Sequence, residues 1–161
     1  MKILVIPAFI VLLDQISKYI VKHYWIENNL FYSKINFLGD YIRIVFIENP
    51  GIAFGIDTSK YHLYITILTI LAVIFLAVYL YTLIKENNFE KLPMSFILGG
   101  AIGNLIDRVL VLFPQSNYNG VIDFIDIGIG YYRWYTFNIA DASITIGLFI
   151  FLYQSFILKK R

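Results

Sequence analysis

Cysteine is absent from the 161-residue chain, so no disulfide, thiolate zinc site, thiol nucleophile or palmitoyl anchor is available. Histidine is nearly absent: His23 and His62 stand far apart, which argues against a histidine-rich metal site. Charge is scarce, at 15% of residues against roughly 25% in soluble domains. The two signs almost cancel, 13 Lys and Arg against 11 Asp and Glu, and a net +2 leaves no basic stripe for nucleic acid. What fills the chain is apolar. Hydrophobic residues make up 59% and mean hydropathy is +0.71, where a soluble domain carries roughly 45–50% hydrophobic residues. A soluble domain this small cannot hide that much apolar surface, and a disordered chain would be polar. The composition describes one integral membrane domain over residues 1–161.

Four segments read as spanning helices, at about 3–21, 61–84, 92–113 and 135–158, each near the roughly 20 residues that cross a hydrocarbon core. Tyr61 to Ile84 carries no Asp, Glu, Lys or Arg. The first span is interrupted by Asp14, Gln15 and Lys18, the third by Asn104, Asp107 and Arg108, the fourth by Asn138 and Asp141. The first resembles a signal peptide at its start, but its polar group falls where a cleavage region would lie and no small-x-small site follows, so it is expected to remain.

An even number of spans puts both termini on one side. Lys2, Lys85, Lys91, Lys159, Lys160 and Arg161 lie at that side, whereas the connections at about 23–60 and 114–134 carry acidic residues in excess or balance. The positive-inside rule then places both termini in the cytoplasm and the two long connections outside. Aromatic residues at Tyr24–Trp25 and Tyr131–Tyr135 suit an outer interfacial belt. Within the first outer connection, Tyr41-Ile-Arg-Ile-Val-Phe-Ile47 is rich in β-branched and aromatic residues and ends at Asn49-Pro50-Gly51, which predicts a strand and turn. Ile52–Gly55 could return as a second strand, giving a small sheet on the outer surface.

With this topology, polar residues of three spans meet at one depth in the outer half of the membrane. Intramembrane charge costs about 2.5–3.5 kcal/mol at mid-membrane, so it persists where it pairs, lines a wet cavity or does chemistry. Asp14 with Lys18 is spaced i,i+4, as is Asn104 with Arg108; Asn104 with Asp107 and Asn138 with Asp141 are spaced i,i+3. Asp14–Lys18 is either a structural ion pair or functional. Gly99 and Gly103 make a small-xxx-small face, whose ordinary role is helix packing.

Asp123, in Val121-Ile-Asp-Phe-Ile-Asp126, reads either as a turn or cap aspartate or as a reactive group. Asp141 on the adjoining span raises the second reading. Two carboxylates in a poorly solvated site cannot both ionise cheaply and share a proton. One can then activate water while the other protonates a carbonyl. Ser17–Lys18 does not make a serine–lysine peptidase, because adjacent helical residues face apart. A small transporter or channel subunit, or a lipid-modifying transferase, remains as a rival reading of the same charges.

Five blocks together resemble the lipoprotein signal peptidase (type II signal peptidase) family of bacterial membrane aspartic peptidases. They are Asp14-Gln-Ile-Ser-Lys18, Asn49-Pro-Gly-Ile-Ala-Phe54, Gly99-Gly-Ala-Ile-Gly-Asn-Leu-Ile-Asp-Arg108, Val121-Ile-Asp-Phe-Ile125 and Phe137-Asn-Ile-Ala-Asp141. The resemblance implies an all-α membrane fold of four spans with a small extracytoplasmic β-cradle in the first outer loop. It implies cleavage of signal peptides from diacylglyceryl-modified prolipoproteins, before the lipidated cysteine, at the outer face of the bacterial inner membrane. Asp123 and Asp141 match the catalytic pair; Asn104, Asp107, Arg108 and Asn138 match the shell that orients it; Asn49 and Gly51 match a loop over the substrate; Asp14 and Lys18 match a structural motif. The expected partners are the prolipoprotein and membrane lipid, with no nucleic acid, no cofactor and no metal, and the chain is expected to act as a monomer. The stretch between Arg108 and Asp123 is longer than usual in the family, with Phe113–Asn119 as extra loop. Pro50 inside its block and Tyr135-Thr136 before Phe137 are further departures.

Overall fold

The computed structural model describes residues 2–30, 33–50 and 59–157. Its long helices are α1 (Val5–Glu27), α2 (His62–Lys85), α3 (Lys91–Val111) and α4 (Ile139–Ile157). Its strands are β1 (Ile35–Leu38), β2 (Ile42–Asn49), β3 (Val121–Ile129) and β4 (Tyr132–Arg133). All four helices are long and apolar enough to cross a membrane. Large apolar side chains such as Phe9, Leu12, Leu68, Phe75 and Phe149 point outward from them, an arrangement suited to lipid.

The helix ends differ from the sequence reading for local reasons. α1 continues past Val21 to Glu27 because Lys18 and Lys22 are buried and partnered, so charge there does not end the helix. It stops where the Asn28 side-chain amide donates to the Tyr24 carbonyl and Asn29 takes a left-handed φ of 51°. α4 starts at Ile139, not near Tyr135, because Phe137 is held in extended form against β3, through an isolated bridge to Ile125.

The sheet also differs. Its order is β1-β2-β3-β4, all antiparallel, so it draws strands from both long connections between helices and not from the first alone. The strand expected at Tyr41–Ile47 is β2, which runs on to Asn49. Asp123 lies within β3, not in a turn or cap. The return strand expected at Ile52–Gly55 lies outside the described residues. Strand alternation sends Ile122 and Phe124 into a core with Val21 and Trp25 of α1, and turns Val121 and Asp123 toward a cavity on the other face.

α3 is central and packs on α1, α2 and α4. A Cβ at Gly99 would lie 3.0 Å from Pro7 and Ile10 of α1, and one at Gly103 would lie 2.7 Å from the Asp14 carboxylate. Gly100 is tighter still: its Cβ would lie 2.3 Å from the Ala140 carbonyl oxygen and 2.7 Å from Ile144. Small residues thus let three helices meet where their polar groups lie. Gly100→Ala should push α4 off α3 and destabilise the fold by about 1–3 kcal/mol. That would be read as a lower thermal midpoint in detergent micelles; an unchanged midpoint would show that the α3–α4 contact absorbs the methyl group freely.

Candidate active site

Four elements, β2, β3, α3 and α4, bring the site together. β3 carries Asp123, which is 4% exposed. Its Oδ1 accepts a hydrogen bond from the Asn138 side-chain amide at 2.7 Å, and its Oδ2 accepts one from the Asn49 amide at 3.0 Å. Asn49 reaches it because β2 pairs with β3 so that Asn49 faces Val121 and Ile47 faces Asp123.

Asp141 stands in the first turn of α4. Asn138 precedes that helix and closes it: its Oδ1 accepts from the Asp141 backbone N–H at 2.9 Å, while Asp141 Oδ2 accepts from the Asn138 backbone N–H at 3.3 Å. This is a reciprocal capping box with an aspartate in the place usually held by glutamate. Negative charge there also complements the helix macrodipole. The same Asn138 amide that caps the helix touches Asp123, so one side chain fixes the two carboxylates relative to each other. Asn104 of α3 supports both sides of the arrangement. It donates to Asp141 Oδ1 at 2.7 Å and accepts from Asn138 at 3.1 Å.

Asp123, Asp141, Asn104, Arg108 and Asn49 line a cavity of about 780 Å³ whose remaining walls include Trp134, Phe137 and Ile144. Arg108 lies close enough to interact electrostatically with Asp141 first, then Asp123 and Asp107. Burial pushes the Asp123 carboxyl up to about 6, and the neighbouring Asp141 charge adds to the rise. The Asn49 hydrogen bond is the main opposing influence, followed by that from Asn138 and by the Lys18 charge.

Behind the cavity, Lys18 is 1% exposed and its ammonium lies 2.8 Å from Asp14, 2.9 Å from Asp107 and 3.0 Å from the Asn104 side-chain oxygen. Asp107 Oδ2 also accepts the Ile122 backbone N–H at 3.1 Å, next to Asp123. Asp14 Oδ1 accepts the Ala140 backbone N–H at 2.9 Å, next to Asp141. The Gln15 amide lies 3.1 Å from Asp107 Oδ1 and 3.2 Å from Asp14 Oδ2. This network pins the backbone on either side of the pair of carboxylates.

The structure therefore brings Asn49, Asn104, Arg108, Asp123, Asn138 and Asp141 around one cavity and sets Asp14, Lys18 and Asp107 behind it. Asp107 turns inward to Lys18 while Arg108 turns to the cavity, as adjacent helical residues must face apart. Gly51 lies outside the described residues. Sequence reasoning noted Gln15 as a polar interruption but gave it no role, and it passed over the pairing of Lys22 with Glu48, which carried no motif at all.

Four helices long and apolar enough to cross a membrane, with carboxylates and amides gathered at a largely apolar cavity, describe a multi-pass membrane protein. A family model described as signal peptidase (SPase) II matches residues 6–157, and the chain belongs to that family. The "Lipoprotein signal peptidase" of Syntrophus aciditrophicus (strain SB) is 33% identical over 98% of this chain and 93% of its own length. That of Blochmanniella pennsylvanica (strain BPEN) is 38% identical over 93% of this chain and 86% of its own. Among solved structures, a bacterial membrane enzyme determined by the in meso method at 1.9 Å superimposes with a TM-score of 0.74 at 33% identity, covering 97% of this chain and 93% of that one. A second, at 2.3 Å, gives 0.67 at 31% identity, covering 96% and 90%.

Proposed function

We propose that this chain is an aspartic endopeptidase of the bacterial inner membrane that removes signal peptides from diacylglyceryl-modified prolipoproteins, cutting before the lipidated cysteine. The observation that carries the reading is the carboxylate pair Asp123 and Asp141, held by one shared asparagine at the wall of a largely apolar cavity. Both termini are cytoplasmic, the sheet and the cavity lie at the outer face, and the enzyme acts as a monomer. The substrate's signal helix and acyl chains stay in lipid while the scissile peptide reaches the cavity.

Asp123 holds the proton of the pair, because its buried carboxyl has the raised pKa. Asp141, whose oxygens accept from Asn104 and the helix N-terminus, takes a proton from the attacking water. Asp123 donates to the carbonyl oxygen as charge develops, and Arg108 adds positive potential beside that charge. Collapse of the tetrahedral intermediate returns a proton to the leaving amine and releases the signal peptide. Asn49 and Asn138 keep Asp123 aimed at the cavity, and Asp14, Lys18 and Asp107 are structural supports.

The test is cleavage in micelles of a prolipoprotein with and without its diacylglyceryl group, read by gel shift. Cleavage of the lipidated form that survives a chelator is expected. Loss of activity with the chelator would favour a metal-dependent lipid transferase, and flux in proteoliposomes without cleavage would favour a transporter. The pH dependence has a defined sign. The required form of Asp123 is protonated, so kcat/KM should be lost as pH rises through about 6, the value of the free enzyme. A kcat/KM flat from about pH 5 to 8 would contradict proton sharing.

A further inference from the structure

Lys22 and Glu48 take no part in the reaction as described, yet both are largely buried at the edge of the site. Lys22 follows Lys18 by one turn of α1, so the two lysines share a face. Its ammonium lies 3.0 Å from Glu48 Oε1, donates to the Asn117 carbonyl oxygen, and sits 3.6 Å above the Tyr118 ring. The Asn119 side-chain amide donates to Glu48 Oε2 at 2.7 Å. Every partner on the loop side comes from Asn117–Asn119, at the end of the connection between α3 and β3. Asn117 turns the chain there with a left-handed φ of 57°. The next residue, Gly120, packs so closely on β2 that a Cβ would lie 2.3 Å from the Asn49 carbonyl.

Glu48 immediately precedes Asn49, the residue that donates to Asp123. From these contacts we infer that the Lys22–Glu48 pair, caged by residues 117–119, is a positioning device that fixes the end of β2 and so aims the Asn49 amide at Asp123. The connection between α3 and β3 supplies the walls of this cage. Lys22 and Glu48 are positioning residues, acting through Asn49. The inference rests on the proposed role of Asp123, and it makes a prediction that folding alone would not.

Releasing the end of β2 weakens the hydrogen bond from Asn49 to the Asp123 carboxylate, which favours the ionised form. The groups facing Asp123 are Asn49 from β2, Asn138 and Asp141 at the start of α4, Arg108 from α3 and Lys18 from α1. None of them is changed by Lys22→Met or Glu48→Gln. Both substitutions should therefore move the Asp123 titration upward, by about half a pH unit, as expected for a partly lost hydrogen bond. Deleting the Glu48 charge by itself would push Asp123 the other way, so in Glu48→Gln the sign separates positioning from simple electrostatics. Loss of the Lys22 charge alone would also raise Asp123, and Lys22→Met is therefore read by its kcat and KM.

The experiment measures two things on micellar full-length protein. The first is the infrared carboxyl titration of Asp123, identified by its loss in Asp123→Asn. The second is kcat and KM for a diacylglyceryl prolipoprotein across pH. We expect an upward shift of the carboxyl titration, a matching shift of the alkaline limb, a kcat about tenfold lower with KM nearly unchanged, as for other misplaced catalytic groups, and near-parental behaviour for Lys22→Arg. An unmoved titration, or one moved downward, overturns the inference, even if activity falls with the amount of folded protein. If the parent cleaves nothing, the proposed function fails, while the titration still decides whether the cage positions Asp123.

Discussion

Replacing either Asp123 or Asp141 with asparagine should lower kcat for a lipidated prolipoprotein by about a thousandfold or more, within the range for losing one acid–base group. KM should change little, because the cavity walls that bind substrate stay in place. The double variant should be hardly worse than either single one, since the two groups act as a unit. Asp123→Asn has a second expected result of opposite sign. The folded-state pKa is raised from 3.8 to about 6, so above that range the native protein carries a buried anion that the unfolded chain solvates freely. Each pKa unit corresponds to about 1.4 kcal/mol, which puts the cost at no more than about 3 kcal/mol. Asparagine removes it but offers Asn49 and Asn138 only one acceptor oxygen. A net gain of about 1–2 kcal/mol remains, visible as a higher thermal midpoint near pH 7–8 that disappears below about pH 4. An inactive Asp123→Asn protein that is also less stable at pH 8 would show that the carboxylate is structural. A folded one that cleaves normally would remove it from the mechanism.

That trade of stability for reactivity explains which parts of the site could be read in the sequence. Hydropathy shows four spans because lipid imposes length and composition directly. The polar interruptions at Asp14, Asn104, Asp107 and Asp141 stand out against them for the same reason. The setting of Asp123 was harder to see. Val121-Ile-Asp-Phe-Ile125 shows no alternation because its two faces are both covered, one by Val21 and Trp25 and the other by the cavity. A short apolar run of that kind does not reveal its secondary structure. Its pairing with β2 joins two connections separated by α2 and α3, and no local pattern encodes that register. The inward turn of Asp107 was legible in principle, because helical neighbours diverge by about 100° and Asp107 cannot face both Lys18 and the cavity. Lys22 was silent because a charged residue at the end of an apolar helix normally signals water, and Glu48 because a lone acidic residue in an outer connection reads as solvated.

Lys18 is where stability and geometry depend most on one side chain. Lys18→Met should cost about 3–5 kcal/mol, the range for breaking a buried ion pair from one side. It leaves Asp14 and Asp107, both fully buried, with no cation between them, and it removes a donor from the Asn104 oxygen that Asn138 also uses. The damage reaches the chemistry by two short routes. Asp107 holds the Ile122 N–H beside Asp123, and Asp14 holds the Ala140 N–H beside Asp141. Lys18→Met should therefore yield little folded protein in micelles, with kcat per folded molecule also reduced. Adding Asp14→Asn should restore part of the yield, because a neutral amide can still accept from Ala140 while one of the two stranded charges disappears. Two outcomes would contradict this account. Parental stability in Lys18→Met would mean that the triad contributes nothing net to the fold. A stability loss that Asp14→Asn deepens would mean that Asp14 serves mainly as an acceptor at the start of α4, not as the lysine's counter-charge.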